Sequence, residues 1–348
     1  MTSTIGIHCP ETHQVLTATT IVAAEEAAGP LHHRERTPYG HTNMVLLRED
    51  LKTAYPMVDE TPILLVPEAL TTEPKTYDLR DGRWCEAYEE MDSYNRFAVD
   101  IAEDISLALV ERLVSHASVA PFPSPEWLDS PYDAASQLDA FRHLGPAAGQ
   151  CVLQLGGKGV HAVRSILAGA EEAWLLTPMH QEAIFAQELA HRTGVVTRFH
   201  AIVAIAEQMP FSDESFDAIY AGGCLHHMAT DFAGPEIRRV LKKGGRFAAV
   251  EPWRTAAQQF GTRALGKREA NVHCRPLDEE RMRPMQAALD RVEVRHHGPV
   301  LRYIALGLLK LTRREISTKT GLRLDRADDA LPLPANMGGS VAVLATRE

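Results

Sequence analysis

Three short stretches of this chain carry residue types that do chemistry when a fold gathers them. The first is Gly156-Gly157-Lys158-Gly159, directly after the apolar run CVLQL. Glycines there let the backbone turn tightly and come close to a ligand, and a helix beginning next would offer its N–H groups to an anion. The second is Cys224-Leu225-His226-His227, after FDAIYAG. An imidazole, with an ordinary pKa of about 6.5, can take a proton from a hydroxyl or amine near neutral pH. The third is Glu251, at the end of RFAAVE. Each also has a plainer reading. The glycines then form a turn that binds nothing and Lys158 faces solvent. One histidine packs while the other bonds backbone, Glu251 caps the following loop, and Cys224 is a small buried hydrophobe.

The elements around these stretches follow from periodicity. From Gln150 onward, apolar runs alternate with amphipathic stretches. CVLQL, AWLLT, TRFHAIVA, FDAIYAG, RFAAVEPW and GSVAVLATRE read as strands, the first as a buried parallel one. HAVRSILAGA, HQEAIFAQELAHRTG with Gly194 as its C-cap, and AGPEIRRVLKKGG read as helices. Strand–helix alternation implies right-handed crossovers and a mostly parallel sheet covered on both faces. In such a sheet ligands sit beyond the carboxyl ends of the strands, where all three stretches fall.

Upstream the pattern differs. Residues 1–72 mix short β-like runs with turns; MVLL and ILLV are the clearest strands, and Pro56, Pro62 and Pro67 forbid long helices. Residues 84–118 read as helix, with apolar residues at three- and four-residue spacing. The linker PFPSPEWLDSP resists regular structure. The basic stretch from Arg302 to Arg323 reads as a solvated helix face.

Composition narrows the function classes. With 45% hydrophobic and 24% charged residues the chain resembles ordinary globular proteins, and a net charge of −10 weighs against a nucleic-acid-binding surface. Five scattered cysteines without a CxxC pair suit a reducing compartment. No basic and apolar leader opens the chain, and YIALGLLKL is too short to span a bilayer, so a cytoplasmic protein is expected. Among the 16 histidines, no HxxxH or HxH spacing stands beside a carboxylate, and neighbours on a strand point to opposite faces. No metal is expected.

The run from Ala206-Glu207-Gln208-Met209-Pro210-Phe211 through Asp213, Ser215-Phe216-Asp217 to Leu225-His226-His227 resembles the small-molecule branch of the class I S-adenosylmethionine-dependent methyltransferases. That family writes it A-E-x-L-P-F-x-D-x-S-F-D, followed by L-H-H. Val240-Leu241-Lys242-Lys243-Gly244-Gly245-Arg246 and Glu251-Pro252 continue the likeness. The resemblance implies a Rossmann-like, doubly wound α/β fold with a mostly parallel seven-stranded sheet. It also implies an S-adenosylmethionine pocket formed by Gln154, Gly156, Gly157, Gly159, Thr177, Ile205, Ala206 and Glu207, with His226, His227 and Glu251 at the site of methyl transfer.

The likeness is incomplete where the family carries acids. Its D-x-G-x-G-x-G reads Gln154, Gly156, Lys158, Val160 here; the acid ending its second strand is Thr177, and the Asp before A-E is Ile205. A carboxylate accepting hydrogen bonds contributes on the order of 1.5–3 kcal/mol, so losing several weakens cofactor affinity severely unless other groups compensate. Gln154 and Thr177 can still hydrogen-bond.

Tyr55 to Leu65 is similar to the tail of a small zinc-ribbon-like module that partners some methyltransferases. Only Cys9 resembles a ligand there, so zinc is not expected. Without metal, such a module must pack on the main domain or on a second subunit, which makes a homodimer the expected assembly.

The expected organisation is thus a degenerate zinc-ribbon-like β module at 1–72, a helical segment and Pro-rich linker at 73–145, and a methyltransferase-like domain at 146–348. Residues 84–118 and 253–311 would form a lid over the acceptor. The expected function is S-adenosylmethionine-dependent methyl transfer to a small molecule. Two alternatives stay open: an enzyme of this fold running a different reaction, and a non-catalytic subunit.

Overall fold

In the computed structural model, the described residues are 5–34, 42–80, 82–96, 105–119, 122–255, 276–301, 304 and 316–348. The first of them build an antiparallel sheet from β1 (Leu16–Thr20), β2 (His32–His33), β3 (Met44–Arg48), β4 (Thr53–Val58), β5 (Thr61–Pro62) and β6 (Leu70–Thr71). Its order is β1-β3-β4-β6-β2, with β5 paired to β4. Helix α1 (Ile21–Ala28) follows β1, its first turn capped by the Thr20 hydroxyl, which accepts from Ala23 N–H. Pro56 is tolerated inside β4 because it falls between the residues that pair with β6 and those that pair with β5.

MVLL lies in β3 as expected, but ILLV is not a strand. Ile63 makes one parallel bridge to Val203, Leu64 N–H donates to Val203 O at 2.7 Å, and Val66 opens a single helical turn with Pro67. All four side chains are buried, because this segment is the seam between two sheets. Ile7 bridges Phe211 and Gln208 Nε2 donates to Pro10 O alongside it. Leu16, Leu46, Tyr55, Leu64 and Ala69 therefore share one apolar cluster with Trp174, Ile202, Phe211 and Phe247.

The span read as one helix from 84 to 118 contains two, α2 (Cys85–Arg96) and α3 (Leu107–Val119); residues 97–104 lie outside the described residues. Helix α4 (Ala134–Leu144), which periodicity did not single out, packs on the second sheet and buries Leu138, Phe141 and Leu144.

That sheet contains β7 (Cys151–Leu155), β8 (Glu172–Thr177), β9 (Phe199–Val203), β10 (Phe216–Gly222), β11 (Leu241–Pro252), β12 (Arg291–His297) and β13 (Ser340–Thr346), in the order β12-β13-β11-β10-β7-β8-β9. Strand β13 pairs antiparallel with β11 and β12, and the other pairings are parallel. Helices α5 (Val160–Leu167), α6 (His180–Arg192) and α7 (Thr230–Val240) make the crossovers of this doubly wound α/β domain. The chain enters at β7, runs outward to β9, then returns to β10 on the other side, so strand order switches between β7 and β10.

Two local expectations are corrected. Residues 241–245, read as the end of a helix, begin β11, whose register against β10 slips between Phe216 and Ala218. Strand β12 was not read as a strand, because RVEVRHH alternates charge with apolar residues at the sheet edge instead of forming an apolar run. Of the expected lid, residues 256–275, 302, 303 and 305–311 lie outside the described residues, Cys274 and His273 among them. Among the described residues no helix is long and apolar enough to cross a membrane.

Candidate functional site

A cavity of about 160 Å³ opens beyond the carboxyl ends of β7, β8, β9 and β10, at the switch in strand order. Gly156 and Gly157 line it from the turn after β7, Thr177, Pro178 and Met179 from the end of β8, and Ile205, Ala206 and Glu207 from beyond β9. Gly222, Gly223, Cys224, His227 and Met228 line it from beyond β10, and Ala87 and Glu90 of α2 close it over.

The glycine turn is built for close approach. Gly156 and Gly159 have φ of +65° and +70°, which disfavours any side chain. A Cβ on Gly156 would sit 2.8 Å from that of Cys224, and one on Gly159 2.4 Å from that of Ala186. Gly159 thus brings α5 against α6 and does not line the cavity. Gln154 is likewise redirected. Its Oε1 accepts from Ala162 N–H and its Nε2 donates to Gly156 O, both at 2.8 Å. It braces the turn from behind, 4% exposed. The ammonium of Lys158 sits 5.1 Å from the centroid of the Phe185 ring.

Counting acids along the chain missed the ones that folding brings in. Glu182, in the first turn of α6, faces the cavity, and Thr177 Oγ1 donates to its Oε2 at 2.6 Å. Burial raises the Glu182 pKa even against that hydrogen bond. Glu207 accepts from Ala229 N–H at 2.8 Å, and burial pushes its pKa up to about 7. Glu90, the third carboxylate, comes from α2. The only sequence signal for Glu182 was its place in the first turn of the helix that follows Thr177; for Glu90 there was none.

The polar residues after β10 divide into two groups. Glu251 accepts from Cys224 N–H at 3.0 Å and Leu225 N–H at 2.7 Å, and its other oxygen lies 2.6 Å from His226 Nδ1. Both residues are buried and neither lines the cavity, so the pair locks the turn. His227 does line it, with Nδ1 3.3 Å from Glu90 Oε2. Burial, with His226 and Arg281 close by, lowers the His227 pKa to about 3, so its ring is neutral. Arg281 ties the turn to its cover by donating to His226 O, Met228 O and Glu86 Oε2. Cys224 Sγ donates to Leu155 O, and burial pushes its thiol pKa well up, so it is no nucleophile.

The metal expectation concerned histidines from separate elements. Among the described residues no group of three or more His, Cys, Asp or Glu side chains is placed to hold an ion. Cys9 is buried with Sγ 3.4 Å from the Tyr55 hydroxyl.

Residues 153–249 match a family described as "Methyltransferase domain". The chain is 32% identical over 111 residues to the ubiquinone/menaquinone biosynthesis C-methyltransferase UbiE of Vibrio campbellii, covering 31% of this chain and 43% of that protein. It is 30% identical over 131 residues to an uncharacterized methyltransferase of Mycobacterium bovis, covering 37% of this chain and 50% of that one. The chain thus spans half or less of the length of these relatives. Among solved structures it is similar to a geranyl diphosphate C-methyltransferase from Streptomyces coelicolor in complex with Mg2+, geranyl diphosphate and S-adenosyl-L-homocysteine. There the identity is 16%, the coverage 72% of this chain and 99% of that one, and the TM-score 0.44. The stretch that carries the strand tips after β7, β8, β9 and β10 is therefore the one similar to methyltransferase domains.

Proposed function

We propose that the protein transfers a methyl group from S-adenosylmethionine to a small-molecule acceptor, with the cofactor held in the cavity beyond β7 to β10. The observation that carries this reading is the acidic character of the lining: three carboxyl groups, Glu90, Glu182 and Glu207, and no lysine or arginine among the described lining residues. Such a lining favours a ligand with positive charge and hydroxyl donors and disfavours an anion. S-adenosylmethionine supplies a methyl on a sulfonium, an ammonium group and a ribose diol. The match of residues 153–249 to a methyltransferase domain supports the same reading.

This chain's residues contribute chiefly by binding and orientation. Gly156 and Gly157 let the backbone approach the ligand. Leu176, Pro178, Met179 and Ile205 offer an apolar slot suited to a flat base. Glu90 stands 3.3 Å from Nδ1 of the His227 ring, which is neutral. A pKa of about 3 makes His227 a weak base, so it orients the methyl acceptor instead of ionising it. Helix α2 excludes water from the reacting atoms, and the free volume of about 160 Å³ is small for a ligand of this size, so entry displaces α2.

Calorimetric titration of the purified protein with S-adenosylmethionine and S-adenosylhomocysteine tests this. Micromolar binding of both is expected. Absence of heat and of any thermal shift at millimolar ligand would refute it.

A further inference from the structure

Leu176, Pro178, Met179 and Ile205 sit together at the tips of β8 and β9, while the glycine turn lies at the tip of β7. Thr177 ends β8 beside Leu176 and Pro178, and its hydroxyl donates to Glu182, which reaches the cavity from α6. A nucleoside with its base against Leu176, Pro178, Met179 and Ile205 brings its sugar within reach of these two residues, since one bond joins base and sugar.

We propose that Glu182, reaching in from α6, holds the two neighbouring ribose hydroxyls of the adenosyl ligand, in place of any acid on β8. The inference rests on the functional reading above. A carboxylate has two oxygens with the spacing to accept from two vicinal hydroxyls, which a lone threonine hydroxyl does not. Glu182 is pre-positioned for this. Thr177 Oγ1 accepts from Met179 N–H at 3.2 Å and donates its own hydrogen bond to Glu182 Oε2, so the backbone after β8 sets where the carboxylate sits. The Gly157 backbone lies close enough to this carboxylate to oppose the rise of its pKa. The acid a diol needs has been moved into the next helix and aimed back by a hydroxyl.

The test compares S-adenosylhomocysteine with its 2′,3′-dideoxyribose analogue, by calorimetry, on the wild type, Glu182→Ala and Glu182→Gln. The wild type is expected to prefer the hydroxylated ligand by about tenfold to a hundredfold. In Glu182→Ala that preference falls to within about threefold, and in Glu182→Gln to an intermediate value. A merely structural role would weaken both ligands equally and leave the ratio untouched, and that result overturns the proposal. If Glu182→Ala does not fold, as judged by circular dichroism, Glu182→Gln decides by the same ratio. Should the wild type bind neither ligand, the functional reading falls and this inference with it. If the wild type binds S-adenosylhomocysteine and the ratio is unchanged in the variants, only the assignment of Glu182 falls.

Discussion

Glu207 and Gln154 show how much one side chain's surroundings decide. Glu207 is buried, and its pKa of about 7 lies above the ordinary 4.5. A carboxyl whose folded pKa is raised stabilises the fold fully below the unfolded value and loses that contribution as pH rises to the folded one. Between pH 4.5 and 7 the protein should therefore lose about 3 kcal/mol from this group. Glu207→Gln should remove that part of the slope, measured as the difference between the two pH profiles of thermal unfolding; identical slopes would contradict the burial argument. Gln154 was expected to touch the cofactor, yet both ends of its amide are spent on Ala162 N–H and Gly156 O. Gln154→Ala should cost about 1–3 kcal/mol by leaving those groups unpaired, while the preference among ligands stays as in the wild type. Chemical unfolding and calorimetry would separate the two effects.

The turn between β7 and α5 repeats glycine for different reasons. At Gly159 an added methyl would meet Ala186 of α6 at 2.4 Å, on a backbone with positive φ. At Gly157 the nearest atom is Gln154 Nε2 at 3.6 Å, so only the backbone resists. Gly159→Ala should therefore destabilise by about 2–4 kcal/mol, through strain plus overpacking between helices. Gly157→Ala should cost about 1 kcal/mol, from the positive φ alone. Equal losses of stability in the two variants would show that the two glycines do the same job. Helix α2 is the other element the site depends on. Nothing in its own sequence marks Ala87 and Glu90 as cavity residues; Arg281 and the turn after β10 hold it in place.

The two sheets share a core across the ILLV seam, where Leu64 is 1% exposed and donates its N–H to Val203 O. Calorimetry should accordingly record one cooperative unfolding transition, and Leu64→Ala should lower it by about 2–5 kcal/mol without splitting it. Two separate transitions would mean that the sheets fold independently. The strands from β7 to β11, the glycine turn and the motif from Ala206 to His227 were legible along the chain, because period and punctuation are local properties. The two acids closing the cavity were not. Glu182 acts at Thr177 only because α6 folds back on β8, and Glu90 reaches His227 only because α2 lies across strand tips far along the chain. The roles of Gln154 and Glu251 also escaped reading, since a side chain's partners are chosen in space after the backbone is placed. Linear order carries hydrophobic period and turn chemistry; it does not carry distance between segments, and this site is made of such distances.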